Sequence, residues 1–278
     1  MSAVDLHTIT AYDLAHERGD LDIGPGEAFV AGGTWMVSEP QLHLHRLVDL
    51  TGLDWPAVTL TADHLEIAAT CTVERLSELS TTEQWPAAPL FRQCAQALLA
   101  SWKIWKSATV GGNICLSFPA GAMISLASAL EATAVIWTAD GRETYFPILD
   151  FVTGAGSNVL TPGDVLRSIR IPLSVLRART AFRKIALSPL GRSGAVVIGR
   201  IDVDGGFVLS VTASTVRPYV LRFPELPSER DLSDALTRSI PVEAYHTDAH
   251  GAADWRRAVT AVLAAEVRAE LSNGEVPA

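Results

Sequence analysis

The chain has 278 residues, of which 48% are hydrophobic, so it can form the core of one large domain or of two ordinary ones. Its formal net charge of −9 argues against a general nucleic-acid-binding protein, which needs a basic surface to displace the counterions of the phosphate backbone.

The sequence also carries no sign of export or of membrane insertion. A long apolar stretch, Ala120 to Ile136, is interrupted by Ser, Glu and Thr and falls short of the roughly 20 apolar residues of a membrane-spanning helix. Residues 1–13 contain acids and a histidine where a secretory signal peptide has a basic start and an apolar run. We therefore expect a cytoplasmic protein without a membrane span.

In the first half of the chain, hydrophobic periodicity and capping residues predict short strands and turns, followed by helices. Thr34 is a suitable N-cap for a helical turn, and Thr72 for a helix through Leu79. The predicted elements are strands at 27–31, 47–50 and 64–70, the helix after Thr72, and a longer helix from Pro89 to Trp102.

In the second half, strands outnumber helices, and Asp140-Gly141 and Asp204-Gly205-Gly206 predict hairpin turns. Residues 173–180 follow Pro172 and lack core periodicity, so they are the predicted domain boundary. The predicted elements are helices at 120–131, 228–239 and 254–271 and strands at 134–138, 143–146, 165–171, 181–187, 195–203 and 207–213. Residues 191–194 are predicted to form a turn, because their serine lacks the G-x-S-x-G frame of a nucleophile elbow. The absence of regular βαβ alternation indicates an α+β fold.

Two glycine pairs have similar surroundings, Ala31-Gly32-Gly33-Thr34 and Thr109-Val110-Gly111-Gly112-Asn113. Adjacent glycines permit positive φ and leave backbone N–H groups uncovered by a Cβ. Successive uncovered N–H groups form a concave anion site suited to a pyrophosphate, and Thr34, Thr109 and Asn113 add side-chain donors. Two such loops in one chain indicate a dinucleotide held from both sides. The alternative is a pair of ordinary β-turns.

The cysteines exclude another class of site. Cys71, Cys94 and Cys115 are far apart and form no C-x-x-C pair, whereas iron–sulfur clusters and structural zinc need several such ligands together. We therefore expect no iron–sulfur cluster and no metal site held by this chain alone. The thiols are interpreted as small buried hydrophobic groups.

Other patterns are weaker. Gly154-Ala155-Gly156-Ser157-Asn158-Val159 imitates a dinucleotide-binding fingerprint but lacks its third Gly or Ala, so we expect no doubly wound NAD fold. His43 with His45, and His246 with His250, have spacings that a metal could use, but neither pair has a third ligand nearby. We interpret them as surface histidines.

The order of these motifs resembles the FAD-binding domain of molybdenum hydroxylases. That family includes the medium subunit of carbon monoxide dehydrogenase and the flavin portion of xanthine dehydrogenase. The resemblance includes both glycine pairs and covers nearly the whole chain. Its further segments are Phe118-Pro119-Ala120-Gly121, Phe151-Val152-Thr153-Gly154, Leu160-Thr161-Pro162-Gly163-Asp164-Val165-Leu166, Ile169-Arg170-Ile171-Pro172, Thr215-Val216-Arg217-Pro218 and the helix with Trp255-Arg256-Arg257.

The resemblance implies a fold and a domain division. Residues 1–174 would form a vanillyl-alcohol-oxidase-like FAD-binding domain, made of two α/β subdomains at about 1–56 and 57–174. Residues 175–278 would form a C-terminal α+β domain with an antiparallel sheet and helices.

The resemblance also implies a set of cofactor-binding residues, and no catalytic acid or base. Backbone N–H groups would hold the FAD pyrophosphate and ribityl chain at Ala31, Gly32, Gly33, Thr34 and Trp35, and at Thr109, Val110, Gly111, Gly112 and Asn113. Leu166 would lie near the flavin ring, and either Lys184 or Arg183 would contact the cofactor. Gly111→Val is then expected to abolish FAD retention while leaving the fold largely intact.

The sequence departs from the family pattern at three places. Ala122 stands where the family commonly has an Asp that bonds the cofactor. Residues 102–106 read Trp-Lys-Ile-Trp-Lys where the family is often rich in Arg and Asn, and Trp35 replaces a small or acidic residue. We expect FAD binding to survive, because backbone amides carry most of it.

These implications describe one subunit of a larger oxidoreductase. A large molybdopterin-binding subunit would oxidise the substrate, and a small subunit with 2Fe–2S clusters would pass electrons to the FAD of this chain. The flavin would deliver them to an acceptor such as NAD or oxygen, and the assembly is expected to be a dimer of heterotrimers. The alternatives are a self-contained flavin oxidoreductase and a flavin-free structural subunit.

Overall fold

The first lobe, residues 6–53, is built on three parallel strands. The structure is a computed structural model that describes residues 6–273. The strands β1 (Ala11–Leu14), β2 (Glu27–Val30) and β3 (Arg46–Asp49) lie in the order β1-β3-β2. Parallel neighbours need long crossover connections, and the connection from β2 to β3 carries the first glycine pair. That pair therefore lies at the carboxyl end of β2.

The second lobe, residues 54–172, is an antiparallel sheet with helices packed on one face. Its strands are β4 (Val58–Leu60), β5 (His64–Ala68), β6 (Thr133–Trp137), β7 (Glu143–Pro147), β8 (Val152–Gly154), β9 (Ser157–Asn158) and β10 (Val165–Pro172). The main sheet has the order β4-β5-β10-β6-β7, and β8 pairs with β9. Its helices are α1 (Val73–Thr82), α2 (Pro89–Ala97), α3 (Trp102–Trp105), α4 (Val110–Cys115), α5 (Ala122–Ala129) and α6 (Ile148–Phe151).

Local sequence explains where several of these helices begin. The Thr72 hydroxyl accepts the N–H of Arg75 and caps α1, and Pro89 is the first residue of α2, where its missing N–H is of no consequence. The apolar faces of α1, α2, α4 and α5 then pack on the sheet residues Leu65 and Ile67 and their neighbours in one continuous core.

The third lobe, residues 173–273, has its own antiparallel sheet and core. Its elements are α7 (Leu173–Leu176), β11 (Arg179–Ile185), β12 (Ala195–Ile201), β13 (Phe207–Thr212), β14 (Tyr219–Phe223), α8 (Glu229–Ser239) and α9 (Ala253–Ser272). The sheet runs in the order β11-β12-β13-β14, and α9 buries Leu263 and Val267 against it. Ser125 on α5 bonds Thr212 on β13, with 2.7 Å between the hydroxyl oxygens, so the second and third lobes are in direct contact.

The α+β class is confirmed, and most predicted elements are present within a few residues. The sequence does not predict the strands β1, β4, β8, β9 and β14. The predicted helix from Pro89 ends at Ala97, where Leu99 takes a positive φ of 53° and a separate short helix α3 follows. The second glycine pair lies inside α4 rather than in an open loop. Within residues 6–273, no helix is long and apolar enough to cross a membrane.

Candidate functional site

A cleft of about 500 Å³ lies between the first and second lobes, within the usual range of ligand-binding pockets. Both glycine motifs contribute to its walls, so the two loops predicted to hold one ligand do lie at one cavity. The walls come from residues 29–36 on the first lobe, from residues 97–100, 104, 108–109, 112–113, 115–116, 118 and 120–121 on the second, and from Arg192 on the third.

The first glycine loop, residues 31–35, presents free backbone donors. The N–H groups of residues 32–35 donate no hydrogen bond to any described part of the protein. Gly33 has a φ of +64°, a conformation that favours glycine. At Gly32 a Cβ would lie 1.7 Å from the carbonyl oxygen of Ser107. Glycine is therefore required at Gly32 and favoured at Gly33, and the loop can bind an anion through its backbone.

The second glycine motif differs, because its backbone donors are already used. Thr109 is the N-cap of α4, and its hydroxyl accepts the N–H of Gly112. The N–H groups of residues 110–113 bond Cys71 O at 2.9 Å, Ala69 O at 2.8 Å, Thr109 Oγ1 at 3.1 Å and Thr109 O at 3.1 Å, respectively. The expectation that this motif offers free N–H groups therefore does not match the structure. It can contact a ligand through the side chains of Thr109 and Asn113, which line the cleft.

Val110 and Gly111 do not line the cleft, although the sequence placed them with the cofactor-binding residues. A Cβ at Gly111 would lie 2.4 Å from the Cβ of Ala69 and 2.8 Å from its Cα. Gly111 therefore allows α4 to pack closely against the end of β5. This corrects the expectation for Gly111→Val, because the added side chain would disrupt the core before it reached a ligand.

Asn113 connects α4 with the start of α5. Its Oδ1 accepts the N–H of Met123 at 2.9 Å, so the amide NH₂ remains for another acceptor. Ala122, which replaces the Asp of the family pattern, is buried, and Ala120 and Gly121 form the wall there. The Asn113 amide is thus the polar side-chain donor at this end of the cleft.

Two aromatic rings meet across the lobes. Trp35 of the first glycine loop and Phe118 after α4 are packed edge to face, with ring centroids 4.8 Å apart and an interplanar angle of 69°. Both line the cleft. Such a pair stabilises the contact by about 1 kcal/mol, so Trp35, a departure from the family pattern, strengthens the contact between the two walls.

No carboxylate of residues 6–273 lines the cleft, although the chain is acidic. Its one charged lining residue among those described is Arg192, and the sequence has no Asp or Glu between Glu83 and Glu131. An acid-free wall favours an anionic ligand, since no buried negative charge opposes it. The sequence predicts only a turn at Arg192, because the connection from β11 to β12 reaches the cleft through tertiary packing alone.

The two basic residues considered for cofactor contact have different surroundings. Arg183 is paired with Glu266, at 3.2 Å, and Glu270 on α9. The Nζ of Lys184 is buried and has no hydrogen-bond partner among the described residues, and burial lowers the pKa of its ammonium group. A buried cation without a partner is unfavourable. Lys184 is the residue of the two whose side chain has no partner among the described residues, although neither residue lines the cleft.

Leu166 and Cys115 differ in their position relative to the cleft. Leu166 is buried on β10, opposite Ile136, and does not line the cleft. Cys115 lines the cleft, but burial raises the pKa of its thiol to about 12, so it remains protonated near neutral pH. Within residues 6–273 no group of three His, Cys, Asp or Glu side chains is placed to hold a metal ion.

Residues 8–174 match a family model described as the FAD-binding domain in molybdopterin dehydrogenase. The match covers more than half of the chain. None of the curated protein sequences matches the chain significantly.

Several solved structures have the same fold. A quinoline 2-oxidoreductase chain from Pseudomonas putida 86 gives a TM-score of 0.79 at 18% identity, over 96% of this chain and 98% of that chain. A CO dehydrogenase chain from Oligotropha carboxidovorans gives 0.77 at 20% identity, over 93% and 97%. A carbon monoxide dehydrogenase chain from Hydrogenophaga pseudoflava gives 0.76 at 17%, over 93% and 96%. These likenesses confirm the predicted fold along nearly the whole chain.

Proposed function

We propose, from the premise that this chain belongs to the family of FAD-binding domains in molybdopterin dehydrogenases, that it is the electron-transfer subunit of a molybdenum-containing hydroxylase. FAD as the cofactor and oxidoreductase as the enzyme class follow from the family itself. The finer proposal is that a large molybdopterin subunit oxidises the substrate and a small 2Fe–2S subunit delivers the electrons. This chain then passes them to NAD or oxygen.

The observation that carries this proposal is the pairing of free backbone donors with an acid-free cleft. A pyrophosphate is a compact anion, and the N–H groups of residues 32–35 have no acceptor in the protein. The surrounding wall has Arg192 and no carboxylate. Hydrogen bonds to a charged acceptor are roughly twice as strong as neutral ones, so this loop favours a phosphate-bearing ligand.

The described residues fit FAD, and each has a proposed role. The first glycine loop binds the pyrophosphate, and Thr109 and Asn113 bind the polar chain next to it through their side chains. FAD, when bound, supplies the capacity to take up and release electrons, while the protein supplies binding and electrostatics. Trp35 and Phe118 exclude water from one side of the cleft.

Lys184 is the proposed basic contact, in preference to Arg183. The reason is that Arg183 is held by two carboxylates of α9, whereas the Lys184 Nζ is buried without a partner. Leu166 is buried and does not line the cleft, and its proximity to the flavin ring remains a prediction.

We keep the proposed division into an FAD-binding domain at 1–174, with subdomains at about 1–56 and 57–174, and a C-terminal domain at 175–278. The end of the family match at residue 174 and the separate sheets of the three lobes support it. Residues 1–5 and 274–278 lie outside the described part of the chain.

Partner subunits are supported by the surface at the cleft mouth. Leu99, Trp102 and Ile104 expose 37%, 64% and 38% of their surface, and Leu99 and Ile104 also line the cleft. Exposed apolar groups that lie together at a site are typical of protein interfaces. We propose that the subunit delivering electrons binds here, within a cytoplasmic dimer of heterotrimers.

The proposal is tested by purifying the chain alone and titrating it with FAD under a visible spectrum, then by co-expression with molybdopterin and 2Fe–2S subunits. Flavin bands together with a stable complex support it. A chain that binds FAD and turns over a substrate unaided would instead be a self-contained flavin oxidoreductase. A chain that joins the complex without flavin bands would be a structural subunit.

A further inference from the structure

We propose that Arg167 is a positioning residue that fixes the separation of the first glycine loop from α4, and through it the affinity for FAD. The inference rests on the proposed placement of FAD between these two walls. Arg167 lies outside the cleft, so it acts through the residues it holds.

Arg167 is the extra residue of a β-bulge in β10. On the neighbouring strand β6, Ile136 pairs with Leu166 and Val135 pairs with Ser168, which leaves Arg167 without a pairing partner there. A bulge bends its strand and redirects a side chain, and bulges are common beside functional sites. The side chain of Arg167 is thereby directed toward two tryptophan rings rather than toward an ion pair.

The guanidinium of Arg167 holds an aromatic stack. Its central carbon lies 4.2 Å from the ring centroid of Trp55 and 5.6 Å from that of Trp137. The two indoles are themselves packed edge to face, with centroids 5.3 Å apart and an interplanar angle of 89°. Cation–ring contacts of this kind stabilise more strongly where the groups are partly desolvated. We call Arg167, Trp55 and Trp137 the Arg167 stack.

The Arg167 stack belongs to the second lobe and meets the first lobe at two points, the chain junction just before Trp55 and the contact of Arg18 with Trp137. A single residue, Asp54, separates Trp55 from the first lobe, and its backbone conformation is left-handed. Arg18 of the first lobe lies 4.7 Å from the ring centroid of Trp137 and donates from its guanidinium to the carbonyl of Arg142. The orientation of the first lobe, and of the glycine loop that it carries, therefore depends on the two indoles that Arg167 holds.

The backbone of the same residue reaches the opposite wall. The carbonyl of Arg167 accepts the N–H of Ala69 at 3.0 Å, and the carbonyl of Ala69 accepts the N–H of Gly111 at 2.8 Å. Gly111 has no space for a Cβ against Ala69, so the path is close-packed as well as hydrogen-bonded. The position of α4, with Thr109 and Asn113 at the cleft, is thus linked to the bulge.

One residue is consequently linked to both sides of the cleft, to the first lobe through the indoles that its side chain contacts and to α4 through its carbonyl and Ala69. A ligand that bridges the two walls is sensitive to their separation, whereas a ligand held by one wall is not. FAD is a bridging ligand in the proposed placement. ADP carries the pyrophosphate but lacks the flavin and ribityl part, so it engages the first loop alone.

The test compares Arg167→Met with a matched control, Arg170→Met, on the full chain. Arg170 lies on the same strand, over the ring of Tyr145 at 5.2 Å, and pairs with Glu66. Arg167→Met is expected to weaken FAD binding about tenfold and to change ADP binding less than about twofold. Arg170→Met should leave both affinities near those of the unaltered protein. Affinities are measured by flavin fluorescence and by calorimetry with ADP.

Two further variants separate positioning from simple loss of stability. Arg167→Lys keeps a cation near the rings and should recover most of the FAD affinity. Trp55→Leu removes the ring that lies nearest to Arg167 and should reproduce the selective loss of FAD affinity. It replaces Arg167→Met as the test variant if Arg167→Met folds poorly.

The inference is overturned if FAD and ADP affinities fall in parallel, if Arg170→Met loses FAD as strongly, or if Arg167→Met retains full FAD affinity. If the unaltered chain does not bind FAD, the proposed function itself is contradicted. This result is obtained before any variant is made, so it is distinguishable from a failure of the inference about Arg167.

Discussion

Single atoms decide the chemistry on the first-lobe side of the cleft. Gly32 has the carbonyl oxygen of Ser107 where a Cβ would be, and Gly33 adopts a left-handed φ, so the free N–H groups exist only because both side chains are absent. Lys184 is the opposite case, since its long side chain buries an ammonium group without a partner. Both features are unfavourable in the isolated chain, and in the proposed placement of FAD a bound anion would satisfy them.

Gly32→Ala is expected to weaken FAD binding by at least about tenfold, because the loop must move away from Ser107 to accommodate the methyl group. Overpacking of this kind also destabilises a fold by about 1–3 kcal/mol. Gly24→Ala is the matched control, since a Cβ there meets nothing within 4 Å. Equal FAD dissociation constants for the two variants, measured by flavin fluorescence, would rule out the assigned role of this loop.

Lys184→Met is expected to stabilise the FAD-free protein by about 1 kcal/mol, since an unsatisfied buried donor is removed, and to weaken FAD binding. Arg230→Met, at an exposed site on α8, is the control and should change neither. Urea unfolding and FAD titration measure the two effects. A Lys184→Met variant that loses stability while keeping FAD would contradict the assignment.

The pH dependence of stability follows from the same residue. Burial lowers the pKa of Lys184 in the folded chain below its ordinary 10.5, so the unfolded chain binds the proton more tightly. The free energy of unfolding of the FAD-free protein should therefore rise with pH between that lowered pKa and 10.5. Urea unfolding of the unaltered protein and of Lys184→Met at several pH values isolates this contribution as the difference between the two curves.

At the scale of elements, α4 serves two purposes with adjacent residues. Its Gly111 faces the core at Ala69, and its Gly112 faces the cleft, where a Cβ would meet only the hydroxyl of Thr109 at 2.9 Å. Its N-terminal donors are used by Cys71, Ala69 and Thr109. The helix is therefore fixed by the core on one side and offers only side chains to a ligand on the other.

Gly111→Ala and Gly112→Ala are expected to separate these purposes. Gly111→Ala should lower the free energy of unfolding by about 2 kcal/mol through overlap with Ala69. Gly112→Ala should leave stability near that of the unaltered protein, because a better helix former offsets the contact with Thr109, and should weaken FAD binding. Thermal unfolding and FAD titration of both variants provide the measurement. Similar profiles for the two would show that the faces of α4 are wrongly assigned.

At the scale of the whole molecule, three lobes converge on one cleft and leave an apolar rim beside it. The rim is formed by Leu99, Trp102 and Ile104, in a stretch of chain without carboxylates. A partner that binds here would lie next to FAD in the proposed placement, as electron delivery requires.

Trp102→Ser is expected to weaken assembly with the partner subunits by about tenfold or more, because buried tryptophans dominate interface energies. FAD binding and thermal stability should stay unchanged, since the side chain is mostly exposed in the isolated chain. Val203→Ser, at an exposed hairpin on the third lobe, is the control. Co-purification of the co-expressed subunits tests this, and full assembly by Trp102→Ser would contradict the proposed interface.

The sequence by itself determined the features that depend on neighbouring residues. Thr72 and Ser228 marked helix starts, the first glycine pair predicted a loop with free backbone donors, and the order of motifs indicated the family and the α+β fold. The absence of clustered cysteines likewise predicted that this chain by itself holds no iron–sulfur cluster and no metal site. These inferences need only local backbone conformation and chain order, which the sequence states directly.

Only the tertiary structure decided which donors remain free and which residues hold the walls in place. The N–H groups of α4 are used because Ala69 and Cys71, some 40 residues earlier in the chain, lie beside it. Arg192 reaches the cleft from the third lobe, and Arg167 connects two walls through a bulge that no local pattern predicts. The physical reason is that hydrogen-bond satisfaction and close packing depend on residues distant in sequence, which become neighbours only when the chain has folded.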